Sequence, residues 1–362
     1  PGSSLDREAA RRGNSVYLPD RVVPMLPERL SNGICSLRPE VDRLVHTAVI
    51  GFDRLGRRRS VRFVRGVIRS ARRFTYREAF ALLQRPPREP LAEALHRAWE
   101  LAALLRKRRF DHGALALDFP EIKVRVDPDT GRVLRLERIE NDASHQLVEE
   151  CMLAANEAVA HALRTRTVPA LYRVHEPPAP EKLADFRAFL ATLGHPAGDL
   201  TQRAELVKTL LRVHDLPEAP AIRLALLRSL MRARYDPAPI GHYGLAKTDY
   251  THFTSPIRRY PDLTVHRLVG EYCRGTLARR PPEDVPALVK LGEHCSATER
   301  LAEQAEDDLR TVLLLQHLEG KVGERFRGVI TGVTNFGIFV QSPRYLIDGL
   351  VKIDQLGDDW WE

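Results

Sequence analysis

The sequence predicts an α+β protein, a large part of helices packed around β-hairpins followed by a small all-β part. Two observations predict it. Short alternating runs come in pairs joined by turn residues, 46–52 with 60–68 and 122–126 with 133–136, between stretches of helical apolar spacing. From residue 323 the spacing changes to alternation with glycines at the turns, the pattern of short barrel strands.

Taken in order, residues 5–12 carry a helical pattern, and Gly13-Asn14 turns the chain into Ser15-Val16-Tyr17-Leu18-Pro19. Residues 54–73 around the first hairpin hold nine arginines, which read as a solvated face or, second, as a basic ribbon along a polyanion. Residues 76–108 are mainly helical, interrupted at Pro86-Pro87 and Pro90, and 114–119 read as a strand before the second hairpin. Residues 142–164 form a long amphipathic helix with Leu147, Cys151, Ala155 and Val159 on one stripe. Glu149 and Glu150 lie near its start, where the helix dipole alone explains negative charge. Residues 177–180 are a linker, 181–235 supply three helices, and 284–318 long helices whose Glu306-Asp307-Asp308 reads as solvated surface.

The stretch 242–267, HYGLAKTDYTHFTSPIRRYPDLTVHR, concentrates aromatics, hydroxyls and an arginine pair. Pro256 and Pro261 push Ser255 and Tyr260 toward extended or turn conformations, and Pro261 sits in the first turn of a helical pattern. Arg258 and Arg259 therefore stand on a short stiff connection ahead of a helix. Guanidinium forks match phosphate oxygens and stay charged at any working pH. Arginine pairs are ordinarily solvated surface charge, but the apolar neighbours Phe253, Ile257, Tyr260 and Leu263 draw this one inward. A buried guanidinium needs an acidic partner: Asp262, or an acidic ligand. His242 and His252, ten residues apart with no HxH or HxxxH spacing, read as hydrogen-bonded structural residues.

Composition sets the class. With 43% hydrophobic and 29% charged residues over 362, the chain suits a globular domain with a sizeable core plus a smaller one, not a disordered tail. The net charge of +8 favours a polyanionic partner without choosing among RNA, DNA and an anionic membrane. No apolar run is long enough for a membrane span, and no signal-peptide pattern opens the chain. Cys35, Cys151, Cys273 and Cys295 are scattered without CxxC pairing and read as buried thiols in a reducing compartment, which implies a cytoplasmic location.

Three blocks together resemble the RNB exoribonucleases, the ribonuclease II and R family: 242–267, the opening PGSSLDREAARRGNSVYLPDRVVPMLPERLSNGICSLRPEVDRL, and LVEECMLAAN at 147–156. The spelling of the opening block and the tail are most similar to the ribonuclease R branch. The resemblance implies an RNB-type catalytic domain over 1–318 and an S1-like OB-fold over 319–362, each incomplete. It implies hydrolysis of single-stranded RNA from the 3′ end to nucleoside 5′-monophosphates, with Arg258 clamping the scissile phosphate and Arg259 also contacting RNA. Tyr17, otherwise read as a core tyrosine, would stack on RNA near the reacting end. Glu149 or Glu150 would accept a hydrogen bond from a ribose 2′-hydroxyl, the group that distinguishes RNA from DNA.

In the tail, Phe336 and Phe339 are candidates for base stacking and Arg325 and Lys352 for phosphate, while Phe326 is assigned to the barrel core. Val124 stands where the family commonly has an aromatic base-stacker. The family also implies Mg²⁺ held by closely spaced aspartates. None of that kind occurs in context here, and by the family's order they are expected upstream of residue 1, so the chain is expected to be an internal segment with low or no activity alone. A monomer is expected, with no membrane partner. A catalytically inactive RNA-binding protein on the same scaffold is the alternative, and a DNA-directed nuclease a third reading.

Overall fold

The computed structural model describes residues 1–116, 121–127, 129–277 and 285–357. Helix α1 (Ser4–Arg12) starts where the Ser3 hydroxyl accepts from the Asp6 amide, and ends at Gly13 with φ 70°. Strand β1 (Val16–Tyr17) pairs antiparallel with β2 (Val22–Val23). A long hairpin follows, β3 (Asp42–Phe52) with β4 (Arg58–Arg69), its turn closed by Asp53 Oδ1 accepting from the Leu55 and Arg57 amides at 2.9 Å each.

Helix α2 (Tyr76–Leu83) carries a reciprocal Thr75–Glu78 cap, and α3 (Pro90–Asp111) begins on its proline. Strands β5 (Glu121–Val126) and β6 (Val133–Ile139) form the second predicted hairpin. Residues 114–116 are not strand, and 117–119 of that expected strand lie outside the described residues.

Helix α4 (Ala143–Arg164), capped by Asp142, is the centre of the main core. Its Leu163, Val159 and Ala160 pack against Phe63 of β4 and against Val265, Leu268 and Val269 of α8 (Tyr260–Arg274). A second core joins α5 (Pro180–Thr192), α6 (Arg203–Arg212) and α7 (Ala219–Ser229), the three helices the sequence predicts. Strands β7 (Tyr172–Val174) and β8 (Arg234–Asp236) pair antiparallel on either side of that helical insert. Helix α9 (Val285–Glu319) is one continuous 35-residue element rather than several helices, and its Leu313 and Leu314 bury Val124. Val124 is thus a core residue, so its lack of an aromatic ring follows from packing as well as from any ligand. The tail forms an antiparallel sheet β9 (Val329–Thr334), β10 (Gly337–Gln341), β11 (Asp348–Lys352), with β10 central.

Three further expectations are corrected. Tyr260 is the first residue of α8 rather than extended, because its amide donates to Gly13 O at 2.8 Å and its hydroxyl to Asp6 Oδ1 at 3.0 Å, which holds it in the first turn. Phe326 is 59% exposed: it lies outside the strands and touches Tyr345 only edge-on. Of the cysteines only Cys295 is buried, and Cys151 is exposed because it falls on the open side of α4.

Candidate functional site

The two sequence blocks of greatest interest meet at the backbone. Ser15 N donates to Arg258 O at 3.0 Å, and Asn14 and Arg259 form an antiparallel bridge. Gly13, which leads into Asn14 and Ser15, needs its missing side chain: its φ is left-handed, and a Cβ there would lie 2.1 Å from Thr298 Oγ1 of α9. The arginine pair is thereby fixed to the strand that carries Tyr17.

The two arginines then separate. Arg259, extended ahead of α8, turns inward and donates to Asp262 Oδ1 at 2.8 Å. Asp262 has no exposed surface and also accepts from Ser255 N at 2.7 Å, so it ties the Thr254–Pro256 turn to the helix start. Burial pushes the Asp262 carboxyl up, against the pull of Arg259. Arg258 is exposed, and among the described residues its side chain makes no hydrogen bond or ion pair.

Arg258 and Tyr17 line one cleft of about 390 Å³, with Glu28, Asn32, Thr254 and Ser255. Tyr17 is 44% exposed, and the buried Thr254 Oγ1 has no partner among the described residues. The cleft thus offers a ring face, a fixed cation and an unused hydroxyl, the groups that hold a base and a phosphate.

The other candidates lie elsewhere. Glu150 is buried and accepts from Arg109 Nε at 3.0 Å and Nη2 at 2.5 Å. Glu149 accepts from Arg106 at 3.2 Å and Arg109 at 3.0 Å and keeps about a third of its side chain exposed. Burial pushes the Glu150 carboxyl up, with Arg109 opposing. The carboxylates are held by α3 arginines some forty positions away, a pairing that no spacing in the sequence announces. Phe336 is 53% exposed on the β9–β10 turn, its ring edge-on to Phe339 at 6.2 Å, and the sheet they belong to is held to α7 by Arg228 donating to Thr331 O at 3.1 Å. Arg325 and Lys352 are exposed. His242 is half-buried, its Nδ1 accepting from Leu245 N at 3.3 Å, and burial pushes its pKa down to about 3, so it is a neutral structural histidine.

Mg²⁺ takes hard oxygen ligands, usually carboxylates. Among the described residues no three His, Cys, Asp or Glu side chains gather to hold a metal, and Glu28 is the only carboxylate on the cleft wall. These residues by themselves do not fit a Mg²⁺ site. No described helix is long and apolar enough to cross a membrane.

Comparison with known proteins agrees with this layout. Residues 1–275 match the RNB domain model and residues 319–359 the S1 RNA binding domain model. Ribonuclease R of Escherichia coli (strain K12) is 38% identical over 376 residues, covering 100% of this chain and 46% of that protein. Among solved structures, Mycoplasma genitalium RNase R in complex with ribose methylated single-stranded RNA superposes with a TM-score of 0.91 at 31% identity, covering 99% of this chain and 57% of that one. Yeast Ssd1, a pseudonuclease, does so with 0.80 at 25% identity, covering 98% and 44%. The chain spans about half the length of the curated relatives it matches. It belongs to the RNB exoribonuclease family, is most similar to ribonuclease R, and carries an S1 RNA-binding domain after its RNB domain.

Proposed function

We propose that the protein of which this chain is part degrades single-stranded RNA from the 3′ end, releasing nucleoside 5′-monophosphates. The observation that carries the reading is the shared cleft of Tyr17 and Arg258, locked together through Ser15 N and Arg258 O. In this reading Arg258, left without an acidic partner, receives the scissile phosphate and stabilises the charge that develops on its oxygens. Tyr17 stacks on a base beside it, and Thr254 Oγ1 donates to a phosphate or ribose oxygen. Arg259 turns inward to Asp262 and acts as a positioning residue for Arg258, its buried Nε keeping one donor without a partner among the described residues.

Glu149 is the better candidate of its pair for a ribose 2′-hydroxyl, because it retains exposed surface while Glu150 is consumed by Arg109. Phe336 and Phe339 stack bases on the S1-like sheet. The catalytic domain is assigned to residues 1–318 and the S1-like domain to 319–362. Mg²⁺ is the proposed metal, held by carboxylates outside these 362 residues, and the protein is assigned to the cytoplasm as a monomer. The likeness to a pseudonuclease supports a second reading, an RNA-binding protein without catalysis.

One experiment separates them. A 5′-labelled single-stranded RNA is incubated with Mg²⁺, with a chelator control, and with either this chain or a version lengthened to its relatives' span. Metal-dependent shortening from the 3′ end by the longer protein supports the nuclease, and binding without shortening by both supports the inactive reading. A ladder from this chain alone overturns the placement of the metal ligands outside it.

A further inference from the structure

A second cavity, also about 390 Å³, lies where the tip of the β3–β4 hairpin meets α3 and α4, and it shares no lining residue with the Tyr17–Arg258 cleft. The hairpin tip packs on α3 at Gly56, whose φ of +67° favours glycine and where an added Cβ would lie 3.1 Å from Leu104 Cγ, a tight contact. Arg57 and Arg58 of the hairpin line the cavity together with Arg108 and Arg109 of α3.

Most charges here are already matched. Glu150 holds Arg109, Glu157 holds Lys247, and Asp53 holds Arg57 at 2.8 Å. Arg58 and Arg108 are left: among the described residues neither side chain makes a hydrogen bond or ion pair, and Arg58 Nη1 is buried with no acceptor. A buried donor on a permanent cation favours an anionic acceptor, and two guanidinium groups lining one cavity offer forks enough for the three oxygens of a phosphate. Leu105, Leu153 and Ala154 add an apolar wall, and the volume is that of a small-ligand site rather than of a bare ion.

We propose that this cavity is a separate phosphate-binding site, in which Arg58 and Arg108 hold the phosphate and the apolar wall carries an attached nucleoside. The inference rests on this geometry and not on the nuclease reading. The phosphate can belong to a free mononucleotide or to the RNA backbone, and the two sources are told apart by the ligands tested.

The test is calorimetric titration of the chain with inorganic phosphate, with adenosine 5′-monophosphate and with a short single-stranded oligoribonucleotide. Expected is saturable binding of the mononucleotide, weakened about tenfold or more in the Arg58→Gln/Arg108→Gln variant and unchanged in Arg232→Gln, an exposed arginine that lines neither cavity. Tighter binding of the oligonucleotide, with the same loss in the double variant, assigns the site to RNA. Unchanged binding in the double variant, an equal loss in Arg232→Gln, or no saturable binding by the unaltered chain overturns the proposal. Because the double variant risks misfolding, the unaltered chain is also treated with phenylglyoxal and the modified peptides weighed. Protection of Arg108 by adenosine 5′-monophosphate is expected, and equal modification with and without it overturns the site.

Discussion

Asp262 accepts from the Arg259 guanidinium at 2.8 Å with no part of the carboxylate's residue exposed, while Arg258, one position earlier, lines a cleft without a partner among the described residues. Two adjacent arginines thus have opposite fates, and their substitutions are expected to separate stability from function. Asp262→Ala strands a buried guanidinium and is expected to cost about 3–5 kcal/mol in urea unfolding. Arg258→Ala is expected to stay within about 0.5 kcal/mol of the parent in the same measurement. In the lengthened protein it is expected to slow RNA hydrolysis about 10²–10³-fold, as loss of a charge-stabilising donor does.

Tyr17 is half exposed on a two-residue strand, so its ring contributes little to the core. Tyr17→Ala is expected to weaken single-stranded RNA binding by about 1–3 kcal/mol in fluorescence anisotropy, and Tyr17→Phe to retain nearly all of it. Equal loss in both variants would assign the role to the hydroxyl instead of the ring.

Gly13→Ala meets both a left-handed φ and the Thr298 hydroxyl. Thermal unfolding is expected to show a loss of more than about 1 kcal/mol, with RNA affinity falling because the Arg258 segment shifts. Adding Thr298→Ala is expected to recover part of the stability, since it removes the Oγ1 contact and leaves the backbone strain.

Burial lowers His242 to about 3 and His266 to about 4, the latter against the hydrogen bond its Nε2 gives to Phe253 O. The folded state therefore binds fewer protons than the unfolded chain below an ordinary histidine pKa. Their contribution to stability is complete above about pH 6.5 and is lost as the pH falls toward 4, at up to about 1.4 kcal/mol per pH unit for each histidine. Urea titrations across this range are expected to show the slope, and His242→Gln to reduce it by close to one proton's worth.

Glu149 and Glu150 are adjacent yet differ in burial. Glu150→Ala leaves Arg109 buried without its main partner, with an expected cost of about 3–5 kcal/mol. Glu149→Gln is expected to change stability by less than about 1 kcal/mol and to narrow the preference for RNA over a DNA of the same sequence, measured by competition binding.

Much of the fold was legible in the sequence because local physics carries it. Proline at the start of α8, Gly56 in the hairpin turn and the stripe Leu147, Cys151, Ala155, Val159 each specify backbone geometry within a few residues. Even there, side-chain environment escaped: Cys151 lies on the stripe and is exposed, because which flank of α4 is covered depends on α3 and α8.

The sequence by itself determined which residues bear the chemistry and which elements hold them: an arginine pair ahead of a proline-led helix, a tyrosine after Gly13-Asn14, paired glutamates on a long helix, and a short β part at the end. Only the tertiary structure decided that Arg259 turns inward to Asp262 while Arg258 faces the cleft, that Glu150 is taken by Arg109, and that Tyr17 and Arg258 share a wall. The reason is distance along the chain. Arg259 and Asp262 are only three positions apart, but Arg109 and Glu150 are 41 apart and the Ser15–Arg258 bond joins separate blocks of the chain, and residue spacing carries no record of which distant partner will fill a buried charge's coordination.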